Sequence, residues 1–238
     1  MDHGEHSLDG GRVLTIEKNR LSFMNAEAVS VPEHRHSKAF PLLKRIFDLA
    51  IALFLFPGLL LCIAILFVLN RFYNPGPMMF TQERVGWNGT HFRIYKFRTM
   101  MLVEGVDHPR FATEEADRIS GLGNFMRRTR IDEEPQILNV LKGEMSVVGP
   151  RPEQVYFYET FAHSIPGYAR RQSVRPGITG LAQLKYGYTN DEIGAARKLR
   201  WDMEYIQRQG LRIELHIMWQ TFLFVAGRLL RLNTKTKL

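Results

Sequence analysis

The sequence predicts a mixed α/β (α+β) domain that carries an N-terminal membrane helix. Residues 49–69 form a run of 21 positions without a charged or strongly polar side chain. A helix of that length covers roughly 30 Å, the thickness of a bilayer core. After residue 74 the chain changes to short strand-like and helix-like segments separated by Gly and Pro turns, which is typical of a compact domain.

The composition is that of a globular protein with anionic partners. The chain has 238 residues, of which 45% are hydrophobic and 24% charged, and its formal net charge is +8. A positive balance suits nucleic acid, acidic lipid headgroups and phosphorylated small molecules alike. The single cysteine, Cys62, excludes an intramolecular disulfide, so nothing indicates an oxidising compartment.

Residues 1–38 are predicted to be a poorly ordered N-terminal extension, because their charge is scattered and their periodicity weak. The first residues lack the basic start and apolar stretch of a secretory signal, so export by that route is not expected. His34 and His36 could bind a metal in principle. A solvated linker is the better interpretation, since no carboxylate or cysteine cluster completes a site.

Residues 39–73 are predicted to form a re-entrant membrane helix that is kinked at Pro57. Proline removes one helical hydrogen bond and clashes with the preceding turn. Lys and Arg lie on both sides of the apolar run, so they give no bias that would orient a spanning helix. This pattern favours a helix that enters and leaves the same face. A spanning helix and a buried helix of a soluble protein stay open as alternatives.

Residues 74–238 are predicted to form the second domain. Strands are expected at residues 78–81 and 91–97, separated by a turn at 86–89. Helices are expected at 132–141, 195–209 and 211–232. The last helix could lie in the core or in the membrane interface, and its basic tail favours the interface. Gly121-Leu122-Gly123 lacks a third glycine, so we interpret it as a turn and not as a dinucleotide-binding loop.

Residues 127–136 hold the densest group of chemically active side chains. Three arginines are followed at once by Asp132, Glu133 and Glu134, and Pro135 suits the first turn of a helix. The helix dipole and the arginines favour ionised carboxylates there. An ionised carboxylate near a divalent cation can attack a phosphorus centre. On spacing alone, an ordinary acidic helix start beside a basic loop is the commoner explanation.

Sequence motifs along the rest of the chain favour a functional site over an ordinary acidic helix start. Eight ordered blocks span residues 40–230: Lys44–Asp48, Pro75–Pro77, Phe80–Gly86, Tyr95–Met100, Asp132–Gln136, Asn139–Ser146, Val148–Pro152 and Val174–Gly180. Together they resemble the bacterial sugar transferase family, the polyprenyl-phosphate phosphoglycosyl transferases of monotopic type. The chain resembles the compact form, without the multi-helix membrane block of larger members.

The resemblance implies a reaction and a set of site residues. Asp132 and Glu133 would be the catalytic pair and the ligands of a Mg²⁺ cofactor. Asp132 would attack the sugar-linked phosphorus of a UDP-sugar and release UMP, and a polyprenyl (undecaprenyl) phosphate would then accept the sugar phosphate. The residues expected to bind substrate anions are Lys96, Arg98, Arg127, Arg151 and Arg175.

The resemblance also implies a place in the cell. The reaction would be the first membrane step of polysaccharide or glycoconjugate synthesis, at the bacterial inner (cytoplasmic) membrane, with the catalytic domain 74–238 facing the cytoplasm. Expected partners are the donor, the acceptor and membrane lipids, but not nucleic acid; the oligomeric state is open, with a dimer as one option. Glu134 replaces an apolar family residue, and the divergent stretch 184–190 leaves the sugar open. A non-catalytic scaffold that binds acidic lipids is the alternative.

Overall fold

The computed structural model describes residues 39–101, 116–186 and 191–234. The predicted extension 1–38, with His34 and His36, lies outside them, as does part of the stretch linked to sugar choice. Within the described residues the fold is mixed and mainly helical, with two small sheets. The prediction named both the α/β and the α+β class. Because the strands and helices do not alternate regularly, the α+β class describes the fold better.

The apolar segment forms one long helix, α1 (Phe40–Tyr73), which begins with a proline in its first turn and continues through Pro57. It is long and apolar enough to cross a membrane, and most of its apolar side chains are exposed. Its buried positions, such as Ala52, Leu59 and Leu66, recur at helical spacing and pack into the core of the domain. The predicted kink and re-entrant path are not established by this helix and stay predictions.

Polar side chains attach both ends of α1 to the rest of the domain. Near its start, the guanidinium of Arg45 donates to the carbonyl oxygens of Val140 and Leu141. Near its end, the Asn70 amide donates to the Gly76 carbonyl at 2.8 Å. The two ends of α1 therefore contact the same domain, although they lie more than twenty residues apart.

The predicted hairpin is confirmed. Strand β1 (Met79–Val85) pairs antiparallel with β2 (His91–Phe97), so that Met79 lies opposite Phe97. The first strand extends four residues beyond the predicted 78–81, since its pairing with β2 continues up to the turn. That turn contains Asn88 and Gly89, both with positive φ, which is a common use of these residue types.

The second sheet is a parallel strand pair, β3 (Ser146–Val148) and β4 (Gly177–Thr179). The helices are α2 (Gly121–Thr129), α3 (Ile137–Lys142), α4 (Val155–Ser164), α5 (Leu181–Lys185), α6 (Glu192–Gln207) and α7 (Leu211–Thr234). The predicted helices 195–209 and 211–232 correspond to α6 and α7. The predicted helix 132–141 divides into a 3-10 turn, Ile131–Gln136, and α3.

The interpretation of Gly121–Gly123 as a turn is wrong, because these residues begin α2. The Ser120 hydroxyl accepts a hydrogen bond from the Gly123 N–H and so caps the helix. A Cβ on Gly123 would collide with the main-chain carbonyl of Thr99. The glycine therefore allows a close approach between a helix and the segment after β2, which sequence alone does not distinguish from a turn.

Arg98 ties the end of α1 to the hairpin. Its guanidinium is buried, and its five N–H groups donate to the main-chain carbonyls of residues 74, 75, 77 and 100 and to the side-chain oxygen of Asn74. The Asn74 amide returns a hydrogen bond to the Arg98 carbonyl at 2.8 Å. Arginine has five such donors in all, so each donor of Arg98 has a protein acceptor.

We expect Arg98→Ala to destabilise the domain by about 3 kcal/mol, because it leaves several buried carbonyls without a donor. The apparent unfolding temperature should fall by roughly 10 °C, measured by thermal unfolding of the detergent-solubilised protein. Arg93→Ala, at an exposed position of β2, is the matched control and should unfold within a few degrees of the wild type. An unchanged unfolding temperature in Arg98→Ala would contradict the structural role.

Candidate active site

The acidic pair lies on the 3-10 turn between α2 and α3, packed against β2. Helix α2 ends because Arg130 adopts a left-handed conformation with φ of 64°, which is uncommon for a residue with a side chain. The carbonyl of Arg130 then accepts the N–H of Glu133 at 3.0 Å and closes the turn. The chain therefore reverses at Arg130, the last of the three arginines, and this reversal places the acids against β2.

Glu133 is held by cations from three segments. Its Oε1 accepts from Arg151 Nη2 at 2.5 Å and from Lys96 Nζ at 3.3 Å, and its Oε2 accepts from Arg130 Nη1 at 2.8 Å. Burial by itself raises the pKa of Glu133, but the charges of Arg151, Lys96 and Arg130 outweigh it and hold that pKa well below its usual value. Glu133 is therefore held in its ionised form, with both carboxylate oxygens accepting hydrogen bonds from cations.

Asp132 is buried as well, but its environment differs. Its Oδ1 is buried without a hydrogen-bond partner among the described residues. Burial and the neighbouring charge of Glu133 raise the pKa of Asp132 to about 6, against the opposing charges of Lys96, Arg151 and Arg127. Asp132 thus has a buried carboxylate oxygen that no described protein group hydrogen-bonds, near the charges of Lys96, Arg151 and Arg127.

Lys96 reaches the pair from β2. Burial lowers the pKa of its ammonium group to about 8, although the charge of Glu133 opposes that shift. Lys96 is still mostly protonated at neutral pH. A cation in this position would attract the oxygens of a diphosphate.

The structure brings together some of the residues predicted to bind anions and not others. Lys96, Arg127 and Arg151 all lie close enough to lower the pKa of Asp132, and Arg127 is oriented by a 2.8 Å hydrogen bond to the Thr99 hydroxyl. Arg98 is fully engaged in the structural contacts described above. Arg175 donates to the Gly143 carbonyl at 2.9 Å and stacks on the Trp87 ring at 4.6 Å. Substrate binding by Arg98 and Arg175 stays a prediction.

Two residues of the site were not singled out from the sequence. Arg130 belongs to the basic run, but nothing local indicated that it alone would turn back onto Glu133. Gln136 is fully buried, and neither its side-chain oxygen nor its nitrogen has a hydrogen-bond partner in the described part of the chain. A buried amide with both atoms unsatisfied calls for a water or ligand partner, so the turn holds a second group of this kind besides Asp132.

A Mg²⁺ ion fits this site only with ligands from outside the protein. No group of three or more His, Cys, Asp or Glu side chains that could hold a metal occurs among the described residues. Magnesium commonly takes one or two protein carboxylates and completes its shell with phosphate oxygens and water. The free oxygen of Asp132 matches this requirement, whereas both oxygens of Glu133 already accept bonds from cations.

A family profile and several individual relatives show what this chain is similar to. The profile of the family described as bacterial sugar transferase matches residues 39–228. The chain is 42% identical over 188 residues to UDP-N-acetylgalactosamine-undecaprenyl-phosphate N-acetylgalactosaminephosphotransferase of Aeromonas hydrophila, a match that covers 78% of this chain and 44% of that protein.

Two further relatives are UDP-glucose:undecaprenyl-phosphate glucose-1-phosphate transferases. The protein of Escherichia coli (strain K12) is 39% identical over 76% of this chain and 39% of its own length. That of Caulobacter vibrioides is 39% identical over 77% of this chain and 69% of its own length. The chain thus spans less than half the length of the first two relatives. The match to the family profile extends over most of the chain, and we conclude that this protein belongs to the bacterial sugar transferase family.

Proposed function

We propose that this chain transfers a sugar 1-phosphate from a UDP-sugar to undecaprenyl phosphate and releases UMP, as the first membrane step in the synthesis of a polysaccharide or glycoconjugate. The observation that supports this most directly is the contrast within the acidic pair. Glu133 is engaged by three cations, while the adjacent Asp132 has a buried oxygen without a partner. The names of the relatives supply the classes of donor and acceptor.

In the first step the Asp132 carboxylate attacks the sugar-linked phosphorus of the donor. A bond forms between the carboxylate oxygen and this phosphorus, and the bond from phosphorus to the bridging oxygen of UMP breaks, so that UMP leaves with its electron pair. The product on the protein is an aspartyl phosphosugar. Lys96, Arg127 and Arg151 stabilise the negative charge of the diphosphate as it moves to the leaving group.

In the second step a phosphate oxygen of the lipid acceptor attacks the same phosphorus. The acyl phosphate bond breaks, Asp132 regains its carboxylate, and the product is undecaprenyl diphosphate sugar. Two successive displacements use one cationic site twice, so the donor diphosphate and the lipid phosphate need not be bound there together. When bound, Mg²⁺ would supply additional charge neutralisation at the phosphate oxygens, with Asp132 as its best protein ligand and Glu133 beside it.

The membrane helix gives the lipid acceptor a route to this site. The exposed side chains of α1 are apolar over much of its length, and the 3-10 turn with the acidic pair contacts α1 directly. Glu134, the acid that the family pattern did not explain, lies within electrostatic reach of Cys62 on α1, and burial raises its pKa. Glu134 therefore lies on the side of the turn that faces the membrane helix.

We further propose that α1 is re-entrant and that the domain faces the cytoplasm at the bacterial inner membrane. Both ends of α1 are bonded to the same domain, as Arg45 and Asn70 illustrate. A helix that crossed the bilayer would place its two ends on opposite sides of the membrane, where one domain could not be bonded to both.

We expect Asp132→Asn to reduce UMP release by on the order of a thousandfold or more, because an amide is not a nucleophile for phosphorus. The measurement is UMP release from UDP-glucose and UDP-N-acetylgalactosamine with undecaprenyl phosphate and Mg²⁺. Membrane association should be unchanged, and the exposed Asp117→Asn should keep wild-type activity. Near wild-type turnover in Asp132→Asn would refute the mechanism, and an inactive wild type with intact lipid binding would favour the scaffold alternative.

The pH profile should reflect the raised pKa of Asp132. Below a pH of about 6 the carboxyl takes up a proton and loses its nucleophilicity, so kcat/KM should fall roughly tenfold for each further pH unit. Glu133→Gln removes a negative neighbour that raises the Asp132 pKa, so the residual activity should have its acid limb at lower pH. Initial rates between pH 4.5 and 8 test both statements, and a flat profile would contradict them.

Labelling of single cysteines tests the path of α1. In a Cys62→Ala background, Leu42→Cys and Tyr73→Cys place thiols at exposed positions near the two ends of the helix. We expect a membrane-impermeant maleimide to reach both only from the cytoplasmic side, as it should reach Arg93→Cys on the domain surface. Labelling of the two end positions from opposite sides would establish a spanning helix instead.

A further inference from the structure

A second group of buried charges lies behind the site, centred on Arg171. The guanidinium of Arg171 is only 5% exposed and belongs to the 3-10 helix Tyr168–Ser173. Its Nη1 donates to Glu153 Oε1 at 3.1 Å and to the Tyr168 hydroxyl at 2.7 Å. Its Nη2 lies 2.8 Å from Asp202 Oδ2 on α6. One arginine therefore joins three segments that are distant in sequence.

Such a cluster is difficult to explain by stability alone. Burying one cation with two carboxylates removes three charges from water. A protein with such a buried ion group is often no more stable than one with well-packed apolar residues of the same volume in its place. The charged groups instead fix the relative positions of the segments that carry them, because the N–H groups of a planar guanidinium can donate to partners only in a narrow range of positions. Arg171 makes one further contact, and its geometry depends on where the guanidinium is held.

That contact is with the main chain of Arg151. Arg171 Nη2 donates to the Arg151 carbonyl at 3.0 Å. The next carbonyl, that of Pro152, accepts from Arg84 Nη1 at 3.2 Å. Prolines on both sides of Arg151 already restrict its backbone, and these two hydrogen bonds fix where that backbone lies. The side chain of Arg151 extends from this anchored segment to Glu133.

We propose that Arg171 is a positioning residue: held by Glu153 and Asp202, it fixes the Arg151 main chain so that the Arg151 side chain meets Glu133 and the donor diphosphate. This inference rests on the proposed function, since it assigns Arg171 a role in that reaction. Arg171 itself does not touch the acidic pair. It acts through Arg151, and a displacement of about 1 Å at such a group can cost on the order of a hundredfold in rate.

A double-mutant cycle tests this role. The variants are Arg171→Lys, Arg151→Lys and the two combined, with Arg170→Lys at the exposed neighbouring position as the matched control. Lysine keeps the positive charge but cannot bridge both carboxylates and the Arg151 carbonyl with a planar group. The readout is kcat and KM for UMP release from UDP-glucose and UDP-N-acetylgalactosamine, with undecaprenyl phosphate and Mg²⁺, normalised to the folded fraction from thermal unfolding.

We expect Arg171→Lys to lower kcat/KM by about tenfold to a hundredfold and Arg170→Lys to leave it unchanged. If Arg171 acts through Arg151, the double variant should lose little more than Arg151→Lys alone, because the anchored side chain is already altered. A purely structural role predicts instead that the two losses multiply, or that activity per folded molecule does not change. Either of these results would overturn the positioning role.

If Arg171→Lys does not fold, Glu153→Gln takes its place in the cycle, because it keeps an oxygen acceptor for Arg171 and removes one buried charge. We expect Glu153→Gln to lower kcat/KM to a similar extent and to add little to the loss caused by Arg151→Lys. If the two losses multiply, or if Glu153→Gln keeps full activity, the positioning role is again overturned. An inactive wild type with each donor would reject the proposed function and the positioning role together. An active wild type with multiplied losses would reject the positioning role alone.

Discussion

A carboxylate that is removed from water stays charged only where cations and hydrogen-bond donors replace its hydration, and Glu133 obtains them from three separate parts of the chain. Lys96 comes from the hairpin, Arg130 from the turn itself and Arg151 from the segment after β3. The arrangement of the site depends on this convergence. Each cation fixes one segment relative to the others, so the acidic pair is also the point at which the hairpin, the turn and the β3–α4 connection are joined.

The same convergence separates two adjacent carboxylates into different chemical states. Three donors engage Glu133, and their charges hold its pKa low against its burial. Burial and the charge of Glu133 raise the pKa of Asp132 against the opposing charges of Lys96, Arg151 and Arg127, while one Asp132 oxygen stays without a partner among the described residues. This difference suits the proposed attack of Asp132 on an anionic phosphate, because the cations would attract the substrate while the Asp132 carboxylate would not be paired with them.

A further polar cluster, centred on Lys44, couples α1 to this arrangement. Lys44 on α1 lies 2.7 Å from Asp48 and 2.9 Å from Glu214 on α7, and Glu214 accepts from the Tyr205 hydroxyl at 2.8 Å. Asp48 also accepts from the hydroxyl and main chain of β3, the strand that leads directly into the segment of Arg151. The apolar helix is therefore hydrogen-bonded to the strand next to the candidate active site and is not attached to it through the sequence alone. This contact fixes the position of the site relative to α1.

The sequence by itself determined the features that depend on local pattern. The apolar run predicted α1, strand-like segments and a turn predicted the hairpin, and the ordered motifs identified the family and predicted the pair Asp132–Glu133. Only the tertiary structure decided which arginines face that pair. Arg98 and Arg175 belong to motifs as distinctive as that of Arg151, yet one is engaged by the carbonyls that follow α1 and the other by Gly143 and Trp87. A long cationic side chain reaches partners that are 18 to 37 residues away in this site. Which partner it meets is set by how the segments pack, and the residues next to it in sequence do not specify that packing.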